Sequence, residues 1–366
     1  MSVRKRVLPS REIRWQVDYR DQQGKRRSRQ FKTRQQAVDY ETTVRGEIRA
    51  GTHTPDSASI TVSEAAALWL DKCRLDGLES ATVKGYQEHA ELHILPLIGK
   101  KKLSKLTRPA VVNFRDQLLK THSRAMARKV MISLKSLLAD ACERGLIAQN
   151  TATGVKIKMD GRHDEKVTIP TMDEIRALLA KTGEISPVNE VGRPLVITAL
   201  FTGLRASELR GLTWSHVDFE KKLIHVRQRA DFRGAMGSPK SKAGNRDVPM
   251  SPLVVNTLRQ WRLVCPRTEL GLVFPTRNGG IIRHSGMFRI WHGLLEAAGL
   301  PQRYRFHDLR HTAASLLIEQ GWQPKKIQEV MGHSSIQMTF DRYGHLWATP
   351  ESDQEAMAQI EARLLR

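Results

Sequence analysis

The chain has 366 residues, with 60 Lys and Arg against 38 Asp and Glu, and a formal net charge of +22 at pH 7. This length predicts two or three domains, and this charge predicts a polyanionic partner whose binding weakens with salt. No stretch approaches the ~18 consecutive apolar residues of a membrane span, and the basic N-terminus lacks the apolar run of a signal peptide. Three widely spaced cysteines, Cys73, Cys142 and Cys265, argue against a disulfide framework or a zinc ribbon. We therefore expect a soluble, cytoplasmic protein that makes no membrane contact.

The first segment, residues 1–55, is predicted to be a small β-sheet followed by a helix. Residues 1–34 carry 12 Lys and Arg against three acidic residues. Apolar and polar residues alternate over 13–19, and a second, very basic strand is predicted over 26–31 after a turn at Gly24. Thr33 and Gln36 fit the start of a helix. The apolar face of that helix is predicted to contain Ala37, Tyr40, Val44 and Ile48, and Gly51 is predicted to end it.

Residues 60–154 are predicted to form an all-helical domain. Its second helix is predicted to run over 80–94 and to be stopped by Pro96 and Gly99. Residues 155–168 are polar and charged, which predicts an interdomain linker. The other helices of this domain are predicted to begin at Thr61 (with Glu64 completing a capping box), at Thr107 and at Ser123.

Residues 169–366 are predicted to form a mixed, mainly helical domain, so that the whole chain is mainly α with small β-sheets (α+β). Two strands, 223–226 and 246–249, flank a turn rich in Gly and Lys. The tail, 346–366, is predicted to be a helix. A capping box at Thr171 and Glu174 opens the domain, and the tail places Ala356, Ile360 and Leu364 on one side.

Four short motifs supply groups suited to attack on a phosphodiester. Phosphoryl transfer through a protein nucleophile needs an attacking group, positive charge on the non-bridging oxygens and an acid for the leaving oxygen. Arginine meets phosphate bidentately, and tyrosine forms a phosphodiester link that conserves the bond energy without ATP. The motifs are Thr202-Gly203-Leu204-Arg205, His307-Asp308-Leu309-Arg310, Met331-Gly332-His333 and Asp341-Arg342-Tyr343.

A metal site is the competing interpretation of one motif. His307 and His311 are four residues apart, a spacing that places two imidazoles on one helix face. However, the metalloprotease pattern requires glutamate where this chain has Asp308, and Arg310 would put a cation beside the metal. There is also no Gly-rich phosphate-binding loop. We therefore expect neither a metal nor another cofactor.

These motifs, in this order along the chain, resemble those of the tyrosine recombinases of the phage integrase family. The turn from Ser241 to Pro249 resembles the β-hairpin that carries the family's lysine. The resemblance implies an arm-type DNA-binding module over 1–55, a core-binding (SAM-like) domain over 60–154, and a catalytic domain with a C-terminal tail over 169–366. It implies a site-specific recombinase that works through a 3′-phosphotyrosine intermediate and a Holliday junction.

The resemblance also implies a role for each site residue. Tyr343 would be the nucleophile, while Arg205 and Arg310 would hold the non-bridging oxygens. Lys242 would be the general acid, with Lys240 as the alternative. The remaining implied roles are proton transfer from the tyrosine by His307 and a hydrogen bond from His333 to the phosphate. Glu208 either orients Arg205 or is an ordinary helix carboxylate.

The implied partners are double-stranded DNA, at core and arm sites, and three further copies of the chain in a tetramer. An excisionase or directionality factor and a DNA-bending protein are also expected, as is association with the nucleoid when DNA is bound. The tail packs either on a neighbouring protomer or on its own domain. Two alternatives remain. A type IB topoisomerase would not need the separate basic module over 1–55. A non-catalytic DNA-binding protein would have lost a member of the constellation.

Overall fold

The computed structural model describes residues 1–22, 24–49, 51, 53–158, 169–184, 191–346, 357–358 and 360–365. The chain divides into two compact units, Met1–His163 and Asp164–Arg366. Helices dominate both, and the described residues contain two three-stranded sheets and one two-stranded sheet. The predicted fold class is confirmed. Within the described residues, no helix has the length and apolar content needed to cross a membrane.

The first unit begins with an antiparallel sheet in the order β1-β2-β3, against which helix α1 packs. Val17 and Tyr19 of the sheet and Ala37 and Val44 of the helix form its small core, as the alternation predicts. The first strand was not predicted, because its charged side chains hide any alternation and only pairing with β2 specifies it. The elements are β1 (Ser2–Val7), β2 (Ile13–Arg20), β3 (Arg26–Phe31) and α1 (Arg34–Arg49).

The segment after α1 contacts both the small sheet module and the helices that follow. His53 is buried, with Nδ1 2.7 Å from Glu47 Oε2 and Nε2 2.9 Å from Tyr19 Oη. Asp56 pairs with Arg29 of β3 at 3.0 Å, and its backbone carbonyl accepts a hydrogen bond from Lys102 at 2.7 Å. These polar contacts attach the module to the helical part of the same unit.

The helical part of the first unit contains the predicted helices, with one difference. The predicted stop at Pro96 is wrong, whereas Gly99 does follow the last helical residue, as predicted. The helical path widens into a π-helical segment over Ala90–Ile94 and continues through Pro96 to Ile98. Proline has no N–H to contribute, so it is accommodated at the start of the new helical segment. The helices are α2 (Val62–Leu75), α3 (Ser80–His89), α4 (Leu95–Ile98), α5 (Arg108–Thr121) and α6 (Arg124–Glu143).

The capping box at Thr61 and Glu64 is confirmed. Val155 and Ile157, assigned to the predicted linker, instead pack on the core of the helical domain, because both are apolar. The rest of that linker, 159–168, lies outside the described residues. The other domain boundaries stay predictions.

In the second unit, helices and a small sheet surround a large apolar core. The strands of this sheet are in the order β4-β5-β8. The predicted strands 223–226 and 246–249 pair directly, with Ile224 opposite Val248. A short hairpin, β6 with β7, lies in the sequence between them. The strands are β4 (Val217–Asp218), β5 (Leu223–Val226), β6 (Arg229–Ala230), β7 (Met236–Gly237) and β8 (Arg246–Pro249). The helices are α7 (Met172–Glu184), α8 (Gly192–Thr202), α9 (Ala206–Arg210), α10 (Pro252–Val264), α11 (His284–Ala297), α12 (Asp308–Glu319), α13 (Pro324–Met331) and α14 (Ile336–Tyr343).

The described part of the tail is helical over 357–358 and 360–364. Its apolar side chains are exposed, with Met357 at 66%, Ile360 at 50% and Leu364 at 79% of their full accessibility. Ala356, which was predicted to share this face, lies outside the described residues.

Candidate active site

Two motif glycines bring the ends of α8 and α13 into close contact. Gly203 follows α8 with a φ of 63°, and Gly332 follows α13 with a φ of 64°, a left-handed conformation that other residues rarely adopt. A Cβ on Gly203 would lie 2.7 Å from the sulfur of Met331. A Cβ on Gly332 would lie 2.9 Å from the carbonyl oxygen of Ala243. Any side chain at these positions would therefore push the motifs apart.

The arginines of the first two motifs donate hydrogen bonds to the backbone beside these glycines. Arg205 donates from Nη2 to the carbonyl oxygen of Gly332 at 2.7 Å. Arg310 donates from Nη1 to the carbonyl of Gly203 at 2.6 Å, and from Nη2 to that of Met331. Three motifs that are far apart in sequence thus meet at one place, and both predicted arginines lie there.

A buried carboxylate holds the first arginine. Glu208, on α9, accepts a hydrogen bond from Arg205 Nη1 at 2.8 Å, which supports the orienting role considered for it. It also accepts two bonds from Arg246, from Nη1 at 3.1 Å and from Nη2 at 2.9 Å. Burial alone would raise the pKa of Glu208, but the hydrogen bonds and charges of the two arginines lower it to about 2. Sequence reasoning missed Arg246, because nothing local distinguishes it from other basic residues of the hairpin.

The arginine cluster retains excess positive charge. Glu208 binds Arg205 and Arg246 directly and acts on Arg310 only through its charge, while the side chain of Arg205 remains one-third exposed. Burial, followed by the charge of Arg205, lowers the pKa of Arg310 to about 9. Guanidinium groups that repel each other in this way create a favourable environment for an anion.

Tyr343 is 3% exposed at the end of α14 and packs among apolar side chains that include Ala314 and Met331. Its hydroxyl oxygen is hydrogen-bonded to Nδ1 of His311 at 2.6 Å. Burial raises the pKa of Tyr343 to about 12, so the phenol is protonated near neutral pH. In this arrangement the predicted nucleophile is sheltered from solvent.

The resemblance implies that His307 assists proton transfer from the tyrosine, and this role stays a prediction. In the structure the histidine hydrogen-bonded to Tyr343 is His311, which the sequence analysis did not single out as a site residue. One helical turn separates the two residues, and their rings lie 5.0 Å apart and perpendicular to each other. His307 is exposed and His311 is buried. His311 lies on the side of α12 that contacts Tyr343 at the end of α14. Only the tertiary structure reveals this placement. The four-residue spacing of the histidines is visible in the sequence, but there it suggests only a metal pattern.

His333, immediately after Gly332, is 5% exposed, and its Nδ1 lies 2.8 Å from the hydroxyl of Thr339. Burial and then the charge of Arg310 lower the pKa of His333 to about 3. The imidazole is therefore neutral near pH 7, with one nitrogen already paired.

The predicted lysine lies on a turn beside this cluster. Lys242 begins a short 3₁₀ turn, Lys242–Gly244, and its side chain and that of Lys240 are both exposed. The backbone of the turn meets the site, because Ala243 lies against Gly332 and the carbonyl of Gly244 accepts a hydrogen bond from Arg246. The choice between the two lysines stays a prediction. In the part of the chain that is described, no group of three His, Cys, Asp or Glu side chains is arranged to hold a metal ion.

Comparison with known protein families identifies two matching models. Residues 170–349 match the model described as the phage integrase family. Residues 61–119 match the model described as the phage integrase N-terminal SAM-like domain. The first match lies within the predicted catalytic region, and the second lies within the predicted core-binding region.

Similar curated proteins are recombinases and integrases. A tyrosine recombinase XerC-like protein of Caldanaerobacter subterraneus is 28% identical, over 89% of this chain and 90% of the relative. The ICEBs1 integrase of Bacillus subtilis is 24% identical, over 88% of each chain.

Among solved structures, the Tn1549 transposon integrase in complex with transposon right-end DNA matches with a TM-score of 0.69. It is 23% identical and covers 82% of this chain and 100% of that one. A lambda integrase tetramer bound to a Holliday junction matches with a TM-score of 0.59 and 17% identity, over 90% of this chain and 95% of that one. At these identities the two structures support the fold.

Proposed function

The chain belongs to the phage integrase family of tyrosine recombinases, and from this premise we propose how its own residues break and rejoin DNA. It is a site-specific recombinase of the kind that integrates or excises a mobile element or prophage. We propose that Tyr343 attacks the scissile phosphate, leaving a 3′-phosphotyrosine and a free 5′-hydroxyl. A second pair of such exchanges would resolve a Holliday junction.

The excess positive charge of the arginine cluster supports phosphate binding. Attack on a phosphodiester converts a singly charged group into a transition state that carries more negative charge on its non-bridging oxygens. Arg205 and Arg310 meet at the turn beside His333, and Glu208 brings one negative charge against the three arginines of the cluster. The cluster therefore stabilises the transition state more than the ground state, as catalysis requires. This convergence is the observation on which the proposal depends.

The burial of Tyr343 indicates how the nucleophile is controlled. With its hydroxyl bonded to His311 and a raised pKa, the phenol is a poor nucleophile in the free protein. We propose that DNA binding moves α14 and brings the hydroxyl out of the His311 pocket toward the phosphate. Local rearrangement of this kind is common where a catalytic group must be kept inactive until its substrate arrives.

Proton transfers fall to the lysine turn and to the histidines. Lys242 would protonate the leaving 5′-oxygen, and His333 would hydrogen-bond a non-bridging oxygen. The ring of His307 lies beside that of His311, so His307 would accept the tyrosine proton only after Tyr343 leaves His311. No step is assigned to a metal ion or to ATP.

The exposed apolar tail and the net positive charge of the chain support assembly of several copies on DNA. One structural relative, the lambda integrase, is a tetramer bound to a Holliday junction. We propose the same state for this chain, with the exposed apolar face around Ile360 and Leu364 packing on a neighbouring protomer. Core and arm DNA sites would be bound by the helical domain and the basic N-terminal sheet, respectively. An excisionase and a DNA-bending protein would set direction, and the protein would act in the cytoplasm on nucleoid DNA.

The test is replacement of the nucleophile, Tyr343→Phe, compared with Tyr304→Phe. Tyr304 is equally buried but bonds Glu174, so it controls for loss of a buried phenol. On a nicked core-site suicide substrate, Tyr343→Phe is expected to form no covalent protein–DNA adduct while still binding DNA. Tyr304→Phe is expected to form it. Adducts that persist in Tyr343→Phe would identify another nucleophile.

A further inference from the structure

Arg246 is joined to three parts of the site through one buried guanidinium. Nε donates to the carbonyl of Val330 at 2.6 Å, just before the turn that accepts hydrogen bonds from Arg205 and Arg310. Nη1 donates to the carbonyl of Gly244 at 3.1 Å, in the turn that begins at Lys242. The fork formed by Nη1 and Nη2 binds both oxygens of Glu208.

These contacts hold the guanidinium of Arg246 in one position. The side chains of Arg246 and Glu208 are only 6% and 4% exposed, and a bidentate pair between them is fixed in geometry as well as in charge. The packing is equally close, because a Cβ on Gly332 would lie 2.9 Å from Nη1 of Arg246. Movement of Arg246 would therefore displace the lysine turn relative to the two phosphate-binding arginines.

We propose that Arg246 is a positioning residue, which holds the Lys242 turn at a set distance from the arginine cluster and so places the general acid. The inference rests on the proposed function, in which Lys242 protonates the leaving oxygen. Lysine needs such support because its ammonium is at the end of a flexible stem on an exposed turn. We assign Arg246 no direct part in the chemistry, because its side chain is buried and four of its five N–H donors bind carbonyl and carboxylate oxygens.

The cleavage step itself offers a way to isolate this role. The phenol of Tyr343 gives its proton to His307 and its oxygen bonds to phosphorus. The bond from phosphorus to the 5′-oxygen breaks, and a proton passes from Lys242 Nζ to that oxygen. If sulfur replaces the bridging 5′-oxygen, the group leaves as a thiolate and needs no proton, since thiols are far more acidic than alcohols. A defect confined to placement of the acid should therefore be relieved by the sulfur substrate.

The experiment measures single-turnover cleavage of core-site DNA carrying either a normal phosphodiester or a 5′-bridging phosphorothiolate. The variants of the full chain are Arg246→Met, Arg246→Lys and Lys242→Ala. Arg210→Met is the control, since Arg210 is similarly buried but donates to the carbonyls of Ala206 and Ala230. Thermal unfolding is measured for each variant. If Arg246→Met does not fold, the cleavage rates of Arg246→Lys test the proposal in its place.

We expect Arg246→Met and Lys242→Ala to lose about 10²-fold or more in rate on the oxygen substrate, the contribution typical of a general acid. We expect most of both losses to disappear on the sulfur substrate, whereas any loss in Arg210→Met should be equal on the two substrates. Rescue of Lys242→Ala without rescue of the Arg246 variants would overturn the positioning role alone. Absence of rescue in Lys242→Ala would instead refute the general acid of the proposed function, and the inference with it.

Discussion

At Arg310, burial and the positive charge of Arg205 both lower the pKa of the guanidinium. The side chain is nearly inaccessible, its guanidinium binds two backbone carbonyls, and repulsion from Arg205 adds to the cost of desolvation. Glu208 compensates only in part. The three arginines are thus held in place at some cost in stability, and a bound phosphate would relieve the repulsion. Strain of this electrostatic kind is expected where a site is built for an anion that the free protein lacks.

Two histidines of the site make the free energy of unfolding depend on pH. Burial lowers the pKa of His333 to about 3 and that of His311 to about 4, from an ordinary value of 6.5. The unfolded chain takes up these protons below about pH 6.5, whereas the folded chain does not, so acid favours unfolding. The stabilising contribution is complete above pH 6.5 and declines as the pH falls toward the folded values.

We therefore expect the unfolding free energy to fall from pH 6.5 to 4.5, with His333 contributing at most about 1.4 kcal/mol per pH unit. In His333→Gln, which retains a hydrogen-bonding partner for Thr339, that part of the slope should be missing. Urea denaturation of the two proteins at several pH values measures it. Parallel curves for the two proteins would contradict the depressed pKa of His333.

Among the secondary-structure elements, the ends of α8 and α13 contribute most to the geometry of the site. Gly203 ends α8 and Gly332 ends α13, and each is left-handed with no room for a side chain. A helix end leaves backbone carbonyls without helical partners. Here those of Gly203, Met331 and Gly332 accept hydrogen bonds from the two arginines. The same feature that stops each helix therefore orients the residues predicted to bind phosphate.

Gly332→Ala should be more damaging than the same change at a glycine in open space. Gly321 has a similar φ of 73°, but a Cβ added there would have no atom within 4 Å. Both variants bear the left-handed penalty of roughly 1–2 kcal/mol. Only Gly332→Ala also collides with Ala243 and Arg246, so we expect a larger loss of thermal stability and a loss of DNA cleavage in that variant. Equal behaviour of the two variants would show that the Gly332 turn can yield without affecting the site.

On the scale of the whole molecule, charge is the leading property. Much of the net charge of +22 lies outside the active site, and the first sheet is bordered by exposed basic residues such as Arg4, Lys5 and Arg26. The module that carries them has only a small core of its own. Its attachment to the helices depends on the buried His53 and on the Arg29–Asp56 ion pair. We expect such a module to add DNA affinity without being needed for the chemistry.

Deleting residues 1–55 is expected to abolish binding to arm sites and to reduce the salt dependence of DNA binding. Each lost phosphate contact lowers the slope of log K against log salt by about 0.9. A full-length chain with Arg4→Gln and Lys5→Gln is the control, since it keeps the core of the sheet, and it should show part of the change. Binding titrations at several salt concentrations measure both. Cleavage of a core-site substrate should survive, and its loss would mean that the module belongs to the catalytic fold.

Several elements were predictable because their causes are local in sequence. The capping boxes at Thr61 and Thr171 each depend on two residues three positions apart, and both were confirmed. The helix over 124–143 follows from an apolar stripe with Ser123 before it and Gly145 after it. Arg205, Arg310 and His333 lie near one another, and Arg310 is close enough to Tyr343 to affect its pKa, while the roles given to all four stay predictions. Each of them lies at a turn or near a helix end.

The sequence by itself therefore determined the fold class and the family, and it predicted candidate residues for the site, since periodicity, caps and short motifs are properties of neighbouring residues. Only the tertiary structure decided which histidine meets Tyr343, that Arg246 joins the lysine turn to Glu208, and that β1 completes the first sheet. These features depend on contacts between residues 32 to 84 positions apart, or on pairing with a strand already formed. Contacts of that kind leave no local pattern, because the free energy that selects them comes from packing and desolvation in the folded chain.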